Sequence, residues 1–382
     1  MSFDFLDALH AVRRDLHQHP ETGFDLDRTK SIVRDWLAEL GIETHVGAGV
    51  VGVLKAGSGN RAIAIRADMD ALPITEQTGL PYASMNSGTM HACGHDGHTA
   101  MLLGAARALA ENPDFAGTAV FVFQPNEEHG LGAKAMLDEG FLQQFPVDEI
   151  YAIHNLPGAP LGQISTRPGL ICASESLFEI EIQGRGGHAS MPHVGVDALT
   201  VGAEMVLALQ TIIARKIRPG SGAVLSITEL NTDGARNVLP GTAILKGDVR
   251  AQTTGDRQAI EHFMQQITSG IAQAHNVERR FDFRVEFNET INAGEPTDAA
   301  VRAARSVVPN VNGNREPMSF SEDFGQFTDL IPGCFLLIGN GTDGAHGQPL
   351  HSPNYDFNDE LLAIGTEFWQ ALVKDRLRIA KD

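Results

Sequence analysis

Residues 91–98 read His-Ala-Cys-Gly-His-Asp-Gly-His, and an adjacent Glu127-Glu128 pair follows about thirty residues on. Soft and hard metal ligands therefore crowd the first third of the chain. Cys93 and His95 are separated only by Gly94, which lets the backbone fold tightly enough for a thiolate and an imidazole to face one ion. The spacing is neither the Cys-x-x-Cys of structural zinc nor the His-Glu-x-x-His of a helical protease. Metal-assisted hydrolysis is the chemistry such a set suggests, although a loop rich in His and Gly can also be a solvated turn.

The elements that must position these residues can be read from apolar periodicity. Phe5, Leu9, Val12 and Leu16 fall at helical spacing and stop near Pro20; Ile32, Val33, Trp36, Leu37 and Leu40 repeat the pattern before Gly41. Three continuous apolar runs follow, at 62–65, 119–123 and 150–153, separated by helical stretches near 99–109 and 133–137. Unbroken runs alternating with helices predict buried strands of a largely parallel α/β sheet. The first run leads to Asp68 and Asp70, the second to Glu127 and Glu128, the third to His154. Ligands of open α/β sheets bind outside the carboxyl ends of the strands, so the three edges should converge on one crevice.

From 174 to 288 the pattern changes to strand (177–182), helix (196–214), strand (223–229), strand (243–251), helix (258–275) and strand (281–287). That β-α-β-β-α-β order is the split arrangement of a ferredoxin-like domain. A helix at 299–307, a strand at 334–338 and a final helix at 360–377 complete the chain. The expected organisation is a discontinuous α/β catalytic domain, residues 1–173 and 289–382, interrupted by a domain of residues 174–288.

The chain has 382 residues, 42% of them hydrophobic, and a net charge of −19, enough apolar material for two cores. A surface so acidic argues against nucleic acid or an anionic membrane as partner. The residues before Leu16 lack the apolar core of a signal peptide, and no segment approaches the roughly 20 apolar residues of a bilayer span. Cys93, Cys172 and Cys334 are too few and scattered for a disulfide framework, which fits a cytoplasmic protein; Cys172 and Cys334, in apolar surroundings, read as core residues.

Nine motifs, in order along nearly the whole chain, carry a family resemblance: HQHPE (17–21), RADMDALP (66–73), HACGHDGHTA (91–100), FQPNEEHGLGAKAML (123–137), HN (154–155), GRGGHASMPH (184–193), NVLP (237–240), SEDFG (321–325) and HSPNYDFND (351–359). The sequence resembles the metallopeptidase family of aminoacylases, carboxypeptidases and amidohydrolases, in the branch of hippurate hydrolases and plant auxin-conjugate hydrolases. The resemblance implies that Cys93, His95, Glu128, His154 and His351 bind two divalent metals, zinc or manganese first, nickel or cobalt as alternatives. Glu127 would be the general base in attack by a metal-bound hydroxide. Five ligands are too many for one open ion and suit two ions sharing a bridge. If Glu127 and Glu128 lie at a strand end, their side chains should point opposite ways, one to metal and one to substrate.

Asp70 is the expected partner that fixes the tautomer of a metal-bound histidine. Many members of the wider family read His-x-Asp here, whereas this chain reads Asp68-Met69-Asp70, so the role of Asp68 stays open. His17, His19, His91 and His98 are read as structural or solvated. By resemblance His188 would polarise the scissile carbonyl, reaching the site from its own or a partner subunit, while Asn237 and Arg250 would hold the tetrahedral intermediate or the substrate carboxylate. Arg250 could instead be a strand-end salt bridge. The implied enzyme is an amidohydrolase splitting N-acyl amino acids, hippurate-like or N-acetyl, with the inserted domain as lid and homodimer surface, in a dimer or tetramer. A dipeptidase or carboxypeptidase, or a non-catalytic metal-binding peptide sensor, are the rival readings.

Overall fold

Four strands at the centre of an eight-stranded sheet run parallel, in the spatial order Gly117–Gln124, Ala62–Asp68, Glu149–Pro157 and Gly333–Gly341. The computed structural model describes residues 3–379. Because helices cover these strands, they read as unbroken apolar runs, and Ile63, Ile65, Phe121, Phe123, Tyr151, Ile153, Leu336 and Ile338 enter one core. The short strands Ile164–Ser165 and Val311–Asn312 extend one edge of the sheet. An antiparallel pair, Glu43–Val46 with Val50–Ala56, extends the other. The sequence reading did not include that pair: Glu43, His45 and Val46 are exposed, and Gly52 interrupts the apolar residues Val50, Val51, Val53 and Leu54.

The helix His95–Glu111 packs against Phe3–Gln18 and Leu361–Arg376, and the latter packs against Gly294–Val307. Phe3–Gln18 buries Phe5, Leu9, Val12 and Leu16, the stripe expected from its spacing. Contacts divide the chain into two units. The first holds the residues through Ile171, Thr290–Glu316 and those from Asp323 onward; the second holds Cys172–Glu289 with Pro317–Glu322.

In the second unit the antiparallel sheet order is Val224–Thr232, Thr242–Ala251, Ser174–Gln183, Glu278–Phe287. Side chains alternate between buried and less buried along Ser174–Gln183 and Thr242–Ala251, as in a sheet with one packed face. Helices Ala198–Arg215 and Thr254–His275 cover that face with Val201, Met205, Leu209, Ile212, Ile260 and Met264. The second helix starts four residues ahead of the expected 258, because the Thr253 hydroxyl accepts the Asp256 amide and caps it. Ala198–Arg215 corrects the expectation of no span-length segment: it is long and apolar enough to cross a bilayer by composition, with a mean hydropathy of 1.4. Its buried stripe nonetheless serves this core.

Candidate metal centre

Cys93 and His95 flank the start of the helix His95–Glu111, and Gly94 between them has φ 90°. A Cβ on Gly94 would stand 2.5 Å from both Asn155 Oδ1 and Tyr355 Oη, so close approach as well as the left-handed backbone demands glycine. Cys93, His95 and His154 are all buried. His154, on Glu149–Pro157, lies with Nε2 3.4 Å from Cys93 Sγ, while its Nδ1 meets the Asn155 carbonyl at 2.7 Å. Since a carbonyl only accepts, the His154 proton sits on Nδ1 and Nε2 keeps its lone pair.

Glu127 and Glu128 do not sit at a strand end. The strand Gly117–Gln124 stops short of them, and Asn126, with φ 49°, opens a turn closed by Gly130 N–H on Glu127 O at 2.8 Å. Strand alternation therefore does not separate the two glutamates. Asp70 holds the turn instead, accepting the Glu127 amide on Oδ1 at 3.0 Å and the Glu128 amide on Oδ2 at 3.2 Å. Its Oδ1 also stands 3.5 Å from His95 Nδ1, so one carboxylate orients the acidic turn and turns His95 Nε2 the other way.

The two oxygens of Glu128 face different histidines: Oε1 is 3.8 Å from His95 Nε2 and Oε2 is 3.4 Å from His351 Nε2. The donor atoms of Cys93, Glu128 and His351 lie within 4.8 Å of one another, as do those of His95, Glu127 and Glu128. His351 is the exposed member, with 52% of its side chain accessible and φ 65°. Its amide donates to Ala92 O at 2.8 Å, tying the loop to the Cys93 segment despite the strained backbone.

The electrostatics fit a cation. Burial pushes the Cys93 thiol well above its ordinary range, and the charges of Glu128, Glu127 and Asp68 push it further. Burial alone would depress His95, yet Asp68, Asp70 and Glu128 carry it to about 10. A field negative enough to draw a proton there would also draw a divalent ion. Moreover, neither ring nitrogen of His95 nor Glu128 Oε1 finds a hydrogen-bond partner among the described residues. Buried polar atoms are rarely left so; a metal would satisfy His95 Nε2 and Glu128 Oε1, while His95 Nδ1 faces Asp70.

Behind the donors lies a layer that sequence reasoning did not resolve. Arg66 Nη1 bonds Asp68 Oδ2 at 2.7 Å and Arg66 Nη2 bonds Asp323 at 3.0 Å; His98 bonds Asp68 and Asn155. The three-residue step from His95 to His98, which puts both on one helix face, was the available signal. His17 is buried on Asp96 at 2.8 Å, His91 is buried, and His19 bonds Asp15 O at 2.9 Å.

His188, Asn237 and Arg250 belong to the second unit. His188 pairs with Val238 in a two-stranded ladder, and Ala189 N–H donates to Asn237 O at 3.1 Å, which brings His188 and Asn237 together. Arg250 is already held by Glu175 at 2.6 Å, Asp248 at 2.9 Å and Ser321 at 2.9 Å.

Residues 64–375 match the model of peptidase family M20/M25/M40. A hippurate hydrolase of Campylobacter jejuni is 37% identical over 380 residues, covering 98% of each chain. An N-acetylcysteine deacetylase of Bacillus subtilis is 37% identical over 368 residues, covering 94% of each. A solved dinuclear metal binding peptidase of the M20 family from Bacillus subtilis superposes with a TM-score of 0.86 at 33% identity, over 99% of this chain and 100% of that one. The chain belongs to peptidase family M20/M25/M40.

Proposed function

We propose that this metal-dependent amidohydrolase cleaves N-acyl amino acids to a carboxylic acid and a free amino acid, over two divalent ions held by Cys93, His95, Glu128, His154 and His351. The observation that carries the reading is Glu128, whose two oxygens face two different histidines, so that this carboxylate could serve donors on both sides. The similarity to a hippurate hydrolase and an N-acetylcysteine deacetylase supports the substrate class.

Ions bound there would polarise the scissile carbonyl and lower the pKa of an attacking water toward about 7. Glu127, buried on the same turn, takes the water proton and returns it to the leaving amine. Asp70 keeps both glutamates and His95 in register. His188 and Asn237 stabilise the oxyanion, and Arg250 takes the substrate carboxylate, which must compete with Glu175 and Asp248. The second unit serves as a ferredoxin-like lid and dimerisation domain. Its edge strand Val224–Thr232 and the exposed Leu199 and Leu207, the latter 73% accessible, support a homodimer through this face.

The test is a panel of N-acetyl and N-benzoyl amino acids against metal-free protein restored with zinc, manganese, nickel or cobalt in turn. Turnover confined to restored samples supports the reading. Turnover of dipeptides alone would move the assignment to a peptidase, and no turnover by protein carrying two ions would favour the sensor.

A further inference from the structure

The parallel strands Ala62–Asp68 and Glu149–Pro157 stay in register only as far as Arg66 opposite Ala152. Beyond that point the Asn155 amide faces no strand partner there, and a buried N–H must be satisfied some other way. The His98 ring fills the gap. The Asp68 carboxylate accepts from Nδ1 at 2.6 Å, which places a ring proton there; Nε2 faces two groups of Asn155, the N–H that donates to it at 3.0 Å and the side-chain Oδ1 at 2.9 Å. His98 thus bridges the last residue of one strand to the diverging stretch of the next.

The bridge leads to His154. Asn155 gives its N–H to His98 and its carbonyl to His154 Nδ1 at 2.7 Å, so the residue fixed by His98 orients the His154 ring. The His98 and His154 rings also touch, with centroids 4.5 Å apart. At the far end Asp68 is held by Arg66 at 2.7 Å, which gives the bridge a charged, buried anchor. With both ring nitrogens engaged, His98 has no lone pair for an ion, although its nitrogen lies within 4.8 Å of donor atoms of Asp68, His95 and His154.

We propose that His98 is a positioning residue for the metal centre: a wedge between two strand ends that, through Asn155, sets the orientation of His154. The inference rests on the dinuclear reading above. It assigns to the imidazole two separable bonds, which amide side chains can separate in turn. His98→Gln places an acceptor near the position of Nε2 and keeps the Asn155 bond; His98→Asn places a donor near the position of Nδ1 and keeps only the Asp68 bond; His98→Ala keeps neither.

Metal affinity, measured by competition with a chromophoric chelator, and the visible spectrum of the cobalt-loaded protein are the readouts, with circular dichroism confirming that each variant is folded. His98→Asn and His98→Ala should bind the weaker-held ion about 10–100-fold less tightly, the scale of a lost outer-sphere partner, and shift the cobalt bands. His98→Gln should remain close to wild type in both. Wild-type-like affinity and spectrum in His98→Asn would overturn the proposal while leaving the two-ion reading intact. Equal losses in all three variants would also overturn it, by reducing His98 to a packing residue. Wild-type protein that binds fewer than two ions would instead sink the dinuclear reading and this inference with it.

Discussion

The strand Glu149–Pro157 carries a buried charge cluster at each end, and the two are built on opposite principles. At its start, Glu149 Oε1 is bonded by both Arg61 and Arg376, while Oε2 takes Arg376 Nε at 2.9 Å and the Tyr151 hydroxyl at 2.6 Å. Arg376 reaches on to Glu295 at 2.6 Å. Every acceptor of the carboxylate is occupied. At the other end, His154 joins a set in which His95 and Glu128 retain buried polar atoms without hydrogen-bond partners among the described residues. Saturated charge holds a fold together, whereas buried donors without partners inside the chain mark a place suited to binding.

The largest effect expected at the unsaturated end is chemical. Glu127→Gln should keep fold and metal while kcat falls roughly 10²–10⁴-fold, the scale of a lost general base. Glu128→Gln should weaken metal binding instead, because it neutralises the carboxylate facing His95 and His351. Metal stoichiometry beside steady-state kinetics checks both. If the two variants lost metal alike and neither lost kcat alone, the division of labour would be wrong.

At the saturated end the largest effect is on stability. Glu149→Ala leaves Arg61 and Arg376 facing each other beside a buried tyrosine, and breaking such a buried pair costs about 3–5 kcal/mol. Urea denaturation should show that loss while the metal content of the folded fraction is unchanged. A variant with full stability and altered metal binding would erase the contrast between the two ends.

Much of this contrast was legible in the sequence, but unequally. Apolar runs at 62–65, 119–123 and 150–153 identified buried strands, because a strand covered on both faces has nowhere to place polar groups. The candidate donor residues were legible by type, and the structure brings Cys93, Glu128 and His351, and His95 with the two glutamates, within reach of one another. What the sequence does not encode locally is pairing. Arg66 finds Asp323 257 positions away, and Glu149 finds Arg376 227 positions away, through folding of the whole sheet. The acidic turn was misplaced onto a strand end because its geometry depends on Asp70, 57 residues earlier. His98 was read as structural or solvated, and only the structure reveals that both of its nitrogens are engaged.

Metal withdrawal sharpens the comparison from the other side. An ion that binds only the folded state at a concentration 100-fold above its Kd adds about 2.7 kcal/mol, so a chelator should lower the stability of wild type by that order. Glu149→Ala should show the same decrement, since the lesions lie at opposite ends of the strand and should add. Thermal melts with and without chelator test this. A chelator effect that vanished in Glu149→Ala would mean that the ends are coupled through the sheet.

The smallest effect expected is one of acidity. Burial alone would raise the Glu149 carboxyl, but the bonds from Arg376 and Tyr151 hold it below the ordinary glutamate value of 4.5. A carboxyl depressed in the folded state contributes stability that is fully present above its unfolded pKa and is lost as pH falls through the lower, folded one. Glu149→Gln keeps the shape and removes the charge, so at neutral pH it should cost about 1.5 kcal/mol, the low end for a hydrogen bond to a charged group. Below pH 4.5 the gap between wild type and variant should narrow, because the unfolded wild type then takes up a proton that its folded, depressed carboxyl still resists, a difference the variant never has. Chelated samples keep metal loss, itself acid-driven, from masking the trend. A gap that widened toward acid would mean that Glu149 is not held as a carboxylate, and the saturated end would then owe its stability to packing rather than to matched charge.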